Sequence, residues 1–228
     1  MINLKNKIFS SREDCFREFV KDISALLLGS VKKYGEASFA VSGGQTPQHV
    51  FPILAKKLLP WGQISITLVD ERWVEPLHPD SNEGLARRLL MKGPAAAARF
   101  IGLKTSADNP FDGQENCEVA LAGLCWPLDA IFLGMGEDGH IASLFPGEAD
   151  WLYAPARTFP VATFGQRQAR ISLTPKALLD CRHIFLVITG SQKRATYDAA
   201  MQPGAVGELP VRLVLHQDQV PVTVYTLD

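Results

Sequence analysis

The sequence predicts an α/β fold built on an open, mainly parallel β-sheet with helices on both faces. Three observations carry this. Short β-rich apolar runs alternate with helical patterns along most of the chain, an order that implies right-handed crossovers and parallel neighbours. The runs are nearly continuous in apolar residues, as strands covered on both faces are. Glycine-rich and charged segments follow the runs directly, at the sheet edge where open parallel sheets place their ligand sites.

The elements follow in order. Residues 11–34 read as the first helix. Cys15, Phe16, Phe19, Val20, Ile23, Leu26, Leu27, Val31 and Tyr34 recur at spacings of three and four, and Ser11 with Asp14 makes a capping-type start. Candidate strands come at 37–41, 64–69, 130–133 and 184–188, with a fifth apolar run at 220–226. Helical patterns fall at 46–59, 82–92, 114–124, 175–181 and 191–201. Pro52 sits inside the first of these and should kink or shorten it. Segments 93–113 and 142–170 are less regular. The second, with Pro146, Gly147, Pro155 and Pro160, is expected to hold loops and a small antiparallel excursion. No linker rich in Gly, Pro or Ser divides the chain, so one Rossmann-like domain over 1–228 is expected.

Composition narrows the class. The 228 residues are 46% hydrophobic and 21% charged, enough apolar material for a core and unlike a disordered chain. The net charge of −1 provides no basic field for nucleic acid or an anionic membrane. Any anion must therefore be caught by a local site. No apolar run approaches the ~20 residues of a membrane span, and the first residues lack the apolar centre of a signal peptide, so a cytoplasmic protein is expected. Cys15, Cys117, Cys125 and Cys181 are scattered with no Cys-x-x-Cys, and the five histidines are dispersed. Neither a disulfide framework nor a metal site is expected.

Four segments carry the chemistry, each after a candidate strand. Ser42-Gly43-Gly44-Gln45-Thr46-Pro47 reads as a glycine turn opening a helix, with Thr46 as N-cap and Pro47 as first helical residue. Such a start is an anion cradle, or else a plain tight turn. Asp70-Glu71-Arg72 offers a guanidinium fork to an oxyanion or phosphate, oriented by Asp70, or else a solvated strand end. Gly134-Met135-Gly136-Glu137-Asp138-Gly139-His140 leaves Glu137, Asp138 and His140 as its reactive side chains, and histidine suits proton transfer near neutral pH. His49, His78, His183 and His216 lack such a setting and read as structural or exposed. Thr189-Gly190-Ser191-Gln192-Lys193 puts Lys193 and Arg194 in a first helical turn, against the helix dipole, if Ser191 is the N-cap. An anion would remove that conflict. Arg170, before Ile171-Ser172-Leu173-Thr174, is a weaker candidate.

Taken together, Ser-Gly-Gly-x-Thr-Pro at 42–47, Asp-Glu-Arg-Trp-Val…His-Pro-Asp-Ser-Asn at 70–82, Gly-Met-Gly-x-Asp-Gly-His-x-Ala-Ser-Leu-Phe-Pro-Gly at 134–147 and Thr-Gly-x-x-Lys at 189–193 resemble the 6-phosphogluconolactonase family. Arg170 to Thr174 resembles its Arg-x-x-Leu-Thr segment. The resemblance spans nearly the whole chain. It implies a cytosolic hydrolase of the oxidative pentose phosphate pathway that uses neither metal nor cofactor, with the fold shared by sugar-phosphate isomerases and glucosamine-6-phosphate deaminases. Glu75, where family members often have proline, and Pro52 are the departures. One alternative is the deaminase group, whose members have a carboxylate five residues after the histidine, where this chain has Phe145. The other is a non-catalytic sugar-phosphate-sensing module of the same fold, which would more naturally carry an added DNA-binding domain.

The resulting expectation is hydrolysis of 6-phospho-D-glucono-1,5-lactone, with no nucleic-acid or membrane partner. His140 is expected to activate water, Arg72 to stabilise the oxyanion and Asp138 to orient the imidazole. Ser42, Gly43, Gly44, Thr46, Asp70, Arg170 and Lys193 are expected to bind substrate and its phosphate. The sequence leaves open which of Arg72 and Arg170 serves the phosphate.

Overall fold

Strand β1 (Leu4–Phe9) opens the computed structural model, which describes residues 3–227. The apolar pattern did not reveal it, because its residues are all exposed or only partly buried. Helix α1 (Arg12–Tyr34) follows. Asp14 N–H donates to Ser11 Oγ at its start, and Gly35, in the left-handed region, returns its N–H to Val31 O at its end. Its apolar stripe buries Phe19 against Phe132, Phe185 and Tyr225, with ring centroids 4.6, 6.0 and 5.4 Å away. Tyr34 departs from the stripe. It is exposed, and Lys33 and Arg182 lie over its ring.

Next come β2 (Ala37–Val41), wholly buried, and α2 (Gln45–Leu54). The latter stops short of residue 59. Pro52 has no N–H for the ladder, and the helix ends two residues later. The chain continues through β3 (Ile64–Leu68), β4 (Asp70–Arg72), α3 (Asn82–Leu89), β5 (Arg99–Phe100) and α4 (Pro110–Leu121). Then follow β6 (Ala130–Gly134), β7 (Thr158–Val161), β8 (Arg170–Leu173) and α5 (Pro175–Leu179). The last elements are β9 (Ile184–Thr189), α6 (Ser191–Ala200), α7 (Arg212–Leu215) and β10 (Val222–Leu227).

Seven strands form one sheet in the order β1-β10-β9-β6-β2-β3-β5, and every neighbouring pair in it is parallel. Helix α1 packs against β1, β10, β6 and β2. The four strands that precede the motifs, β9, β6, β2 and β3, are consecutive in the middle of this sheet, so their carboxyl ends share one edge. Among the described residues no helix is long and apolar enough to cross a membrane.

The excursion expected in 142–170 is real and larger than the sequence suggested. Strands β4, β8 and β7 form a separate antiparallel sheet. Residues 70–72, expected as a loop after a strand, are its third member. Val69 joins the two sheets: its N–H donates to Val41 O in the parallel sheet, and its carbonyl accepts from Leu173 N. Glu75 is exposed, with Oε1 3.5 Å from Lys104 Nζ.

Candidate active site

Ser42, Gly43, Gly44, Thr46, Asp70, Arg72, His140, Arg170 and Lys193 all border one cavity of about 190 Å³ at the carboxyl edge of the sheet. Asp138 does not border it but touches His140. Gln45, Asn82 and Ala142 also line the cavity; sequence reasoning gave them no role.

The turn after β2 differs from expectation. Gly44, with φ 95°, is the residue before the helix, and α2 begins at Gln45, not at Pro47. Glycine takes the positive φ at no steric cost, so the helix starts before Thr46 can act as cap. Pro47 then sits in the first turn, where a missing N–H costs nothing. No side chain caps this helix start, so its first N–H groups are available to an anion in the cavity. Gly43 is fixed for another reason: a Cβ there would collide with the Asn82 side chain. Ser42 donates its hydroxyl to Phe132 O (3.0 Å) and accepts from Gly134 N (3.1 Å). It ties the ends of β2 and β6 together.

Asp70 orients Arg170, not Arg72. Its Oδ2 lies 3.5 Å from Arg170 Nη1 and accepts the Ser143 hydroxyl at 2.6 Å. Asn82 Nδ2 donates to Asp70 O and Oδ1 at 2.9 and 3.2 Å. The register explains the partner: β4 and β8 run antiparallel with Asp70 opposite Ser172 and Arg72 opposite Arg170, so the carboxylate reaches diagonally across to Arg170. Arg72 donates Nη1 to Asp80 O at 2.6 Å. The Nε atoms of both arginines are buried without a partner. Burial holds the Arg170 guanidinium below its ordinary range, Asp70 pulls it back up, and the charges of Arg72 and Arg167 push it down further.

Glu71 points away from the cavity and is fully buried. It accepts from Arg72 N, Asn82 N and Glu83 N, each at 2.8 Å, and from Ser81 Oγ at 3.0 Å. A carboxylate thus holds the N-terminus of α3 and fixes Asn82. Burial pushes its carboxyl up to about 7, against the pull of these donors. Sequence reasoning assigned Glu71 no role: apart from the adjacent Arg72 N–H, its partners lie ten to twelve residues downstream.

The loop after β6 carries the reactive pair. His140 Nδ1 lies 2.6 Å from Asp138 Oδ1, which also accepts the His140 backbone N–H at 3.1 Å. Gly136 makes the pairing possible, since a Cβ there would collide with the imidazole and the Asp138 carboxylate. Burial raises the Asp138 carboxyl, but hydrogen bonding to His140 and its charge more than offset this, and the net shift is downward. Ala142 takes φ 50°, a costly conformation for a residue with a Cβ. Ser143 secures it from both sides, donating N–H to Ser172 Oγ (3.0 Å) and its hydroxyl to Asp70. Phe145 packs on the imidazole, with ring centroids 4.7 Å apart.

On the far side of this loop, α6 starts at Ser191 with Gly190, φ 94°, before it. Ser191 is therefore the first helical residue and not the cap, and Lys193 remains in the first turn facing the cavity. Arg194 instead reaches Asp198 at 3.1 Å. The other histidines are occupied elsewhere: His49 stacks on Phe16, His183 meets Thr223 Oγ1, His216 meets Ala200 O, and His78 Nδ1 accepts from Asp80 N. Among the described residues no three His, Cys, Asp or Glu side chains are grouped as metal ligands would be.

The cavity thus holds an imidazole whose Nδ1 is engaged by a carboxylate, an uncapped helix start, and three cations, Arg72, Arg170 and Lys193. That combination can activate water and bind a phosphorylated ligand. The family model described as glucosamine-6-phosphate isomerases/6-phosphogluconolactonase matches residues 10–224. A 6-phosphogluconolactonase of Mesorhizobium japonicum is 39% identical over 204 residues, 87% of this chain and 85% of that protein. One of Pseudomonas putida is 36% identical over 209 residues, 90% of this chain and 85% of that protein. The crystal structure of a 6-phosphogluconolactonase from Shewanella baltica OS155 superposes with a TM-score of 0.96 at 34% identity, covering 99% of this chain and 98% of that one.

Proposed function

The chain belongs to the glucosamine-6-phosphate isomerase/6-phosphogluconolactonase family, and we infer that it is a 6-phosphogluconolactonase, hydrolysing 6-phospho-D-glucono-1,5-lactone to 6-phospho-D-gluconate. The reaction belongs to the oxidative pentose phosphate pathway. The observation that carries this reading is His140, held at Nδ1 by Asp138 on the wall of a cationic cavity.

Asp138, kept ionised, accepts the Nδ1 proton and so leaves the lone pair on Nε2. Nε2 takes a proton from water, and the resulting hydroxide attacks the C1 carbonyl. Arg72 stabilises the oxyanion. Collapse expels the ring oxygen, which recovers the proton from the imidazolium. The phosphate dianion is held by the α2 start, Arg170 and Lys193. Asp70 and Ser143 hold Arg170 for this task. The substrate is a small sugar phosphate, and the same reading places the enzyme in the cytoplasm, where such compounds are made and consumed.

Phe145 separates this chemistry from that of the deaminases. An apolar ring sits where their carboxylate is expected, so the imidazole has no second acid to support opening of an amino-sugar ring. The test is direct. The purified protein should hydrolyse the phosphorylated lactone far above its spontaneous rate and release no ammonia from glucosamine 6-phosphate. Hydrolysis at the background rate, or ammonia release comparable to lactone turnover, overturns the assignment.

A further inference from the structure

A hydrogen bond at Nδ1 fixes one atom of the His140 ring. The Cβ–Cγ bond also tethers the ring, but rotation about it is soft, so the hydrogen bond leaves the imidazole room to tilt. General-base catalysis needs Nε2 within a few tenths of an ångström of its working position, so a second contact must set the plane of the ring. Phe145 makes that contact. It is buried and does not border the cavity. Its ring plane is tilted 44° to the imidazole at 4.7 Å.

Phe145 is itself held. The guanidinium of Arg167 lies over its ring with Cζ 3.9 Å from the centroid, and that of Arg170 lies at 5.5 Å. Arg167 is anchored in turn. Its Nη2 donates to both oxygens of Glu148 at 2.7 and 2.9 Å. Its backbone exchanges hydrogen bonds with Phe164, closing the β7–β8 hairpin. A guanidinium over an aromatic face with little water between them is a strong contact of its kind. The outer hairpin is thereby connected through Arg167 and Phe145 to the imidazole.

We infer that Phe145, clamped by Arg167, is a positioning residue for His140: its ring sets the plane of an imidazole that Asp138 holds by one atom. The inference rests on the assignment of His140 as the base. It gives Arg167 and Glu148, which border no part of the cavity, an effect on the rate of the chemical step.

Steady-state kinetics on Phe145→Leu and Arg167→Met, each alone, together and in a His140→Ala background, test it. Phe145→Leu keeps an apolar side chain but removes the flat ring, and should lower kcat by about tenfold to a hundredfold with KM nearly unchanged. Arg167→Met keeps packing on the ring without the guanidinium, and circular dichroism checks that the variant is folded. It should lower kcat by about threefold to tenfold, the scale of one such contact, again with KM nearly unchanged. The double variant should be no slower than Phe145→Leu alone, because the two act through one contact. In the His140→Ala background neither change should alter the residual rate. A rise in KM at constant kcat would make Phe145 part of substrate binding and overturn the inference. An equal loss in the His140→Ala background would reduce its role to general packing, with the same consequence. Full-speed Phe145→Leu beside a disabled His140→Ala overturns this inference alone, whereas a fully active His140→Ala overturns the assignment of the base and this inference with it.

Discussion

Arg72 and Arg170 stand directly opposite each other in the antiparallel pairing of β4 and β8. Like charges at such positions repel, and the Asp70 carboxylate pairs with only one of them. The cavity lining therefore carries more positive than negative charge, which Lys193 increases. A bound ligand with its phosphate at Arg170 and Lys193 and its reacting end at Arg72 offsets the repulsion.

Ligand binding should accordingly stabilise the fold. At ten times its Kd, 6-phosphogluconate should add about 1.4 kcal/mol to the unfolding free energy, read as a rise in Tm. Inorganic phosphate should act in the same way at higher concentration. Arg170→Gln should lose most of the rise at the same ligand concentration. An undiminished rise in that variant would remove Arg170 from the phosphate site.

His140→Ala should lower kcat by about a hundredfold to ten-thousandfold, the usual loss for a general base, with circular dichroism unchanged. Asp138→Asn should also lower kcat, by about tenfold or more. An amide can donate to Nδ1 and thereby place the imidazole proton on Nε2, the nitrogen that must accept. If Asp138→Asn turned over at the wild-type rate, the 2.6 Å contact would be structural only.

Lys193→Ala should act mainly on the phosphorylated substrate. A charge-assisted hydrogen bond is worth about 1.5–3 kcal/mol, so kcat/KM for the phosphorylated lactone should fall by about tenfold to a hundredfold. Part of that loss should appear in kcat, since remote binding energy is used at the reacting carbon. Unphosphorylated glucono-1,5-lactone, already a poor substrate, should lose much less. Equal losses on both lactones would move Lys193 to the reacting end.

Glu71 should give stability a pH dependence near neutrality. Its folded pKa is raised from 4.5 to about 7. The stabilisation linked to that shift is therefore complete below about pH 4.5 and is lost as pH rises through about 7. Denaturant unfolding of wild type and Glu71→Gln between pH 5 and 8 isolates this, because the amide does not titrate. The difference, wild type minus variant, should fall as pH rises. A flat difference would show that the four donors outweigh burial and keep the carboxylate ionised throughout.

The parallel sheet was legible because its central strands are buried on both faces and carry unbroken apolar runs. Strand β1 escaped because an edge strand needs no such run: Lys5, Asn6 and Lys7 serve as well as apolar residues there. Strand β4 escaped because Asp70, Glu71 and Arg72 look like a solvated strand end. Only pairing with β8, a hundred residues away, makes them a strand. The same distance concealed the tie of Asp70 to Arg170 and Ser143. Local chemistry was more readable. The glycine turns, His140 and Lys193 could be placed from their own neighbours. The two helix caps were misread by one or two residues, because Gly44 and Gly190 adopt positive φ and end the turn earlier than Thr46 or Ser191 would.

The position of β10 constrains how the molecule is made. It lies between β1 and β9, pairing Val222 with Leu4 on one side and with Ile184 on the other. On the ribosome β1 emerges more than two hundred residues before β10, its neighbour in the sheet among the described residues. Until then β1 lacks a strand partner and can rest on α1 and, through Asn6, on the Tyr197 hydroxyl of α6, while β9 presents an open edge to whatever chain is nearby. Strand β10 thus closes the sheet by insertion between two strands made before it. A nascent chain halted before Val222 would expose both of those unpaired edges, while every residue bordering the cavity would already have been synthesised.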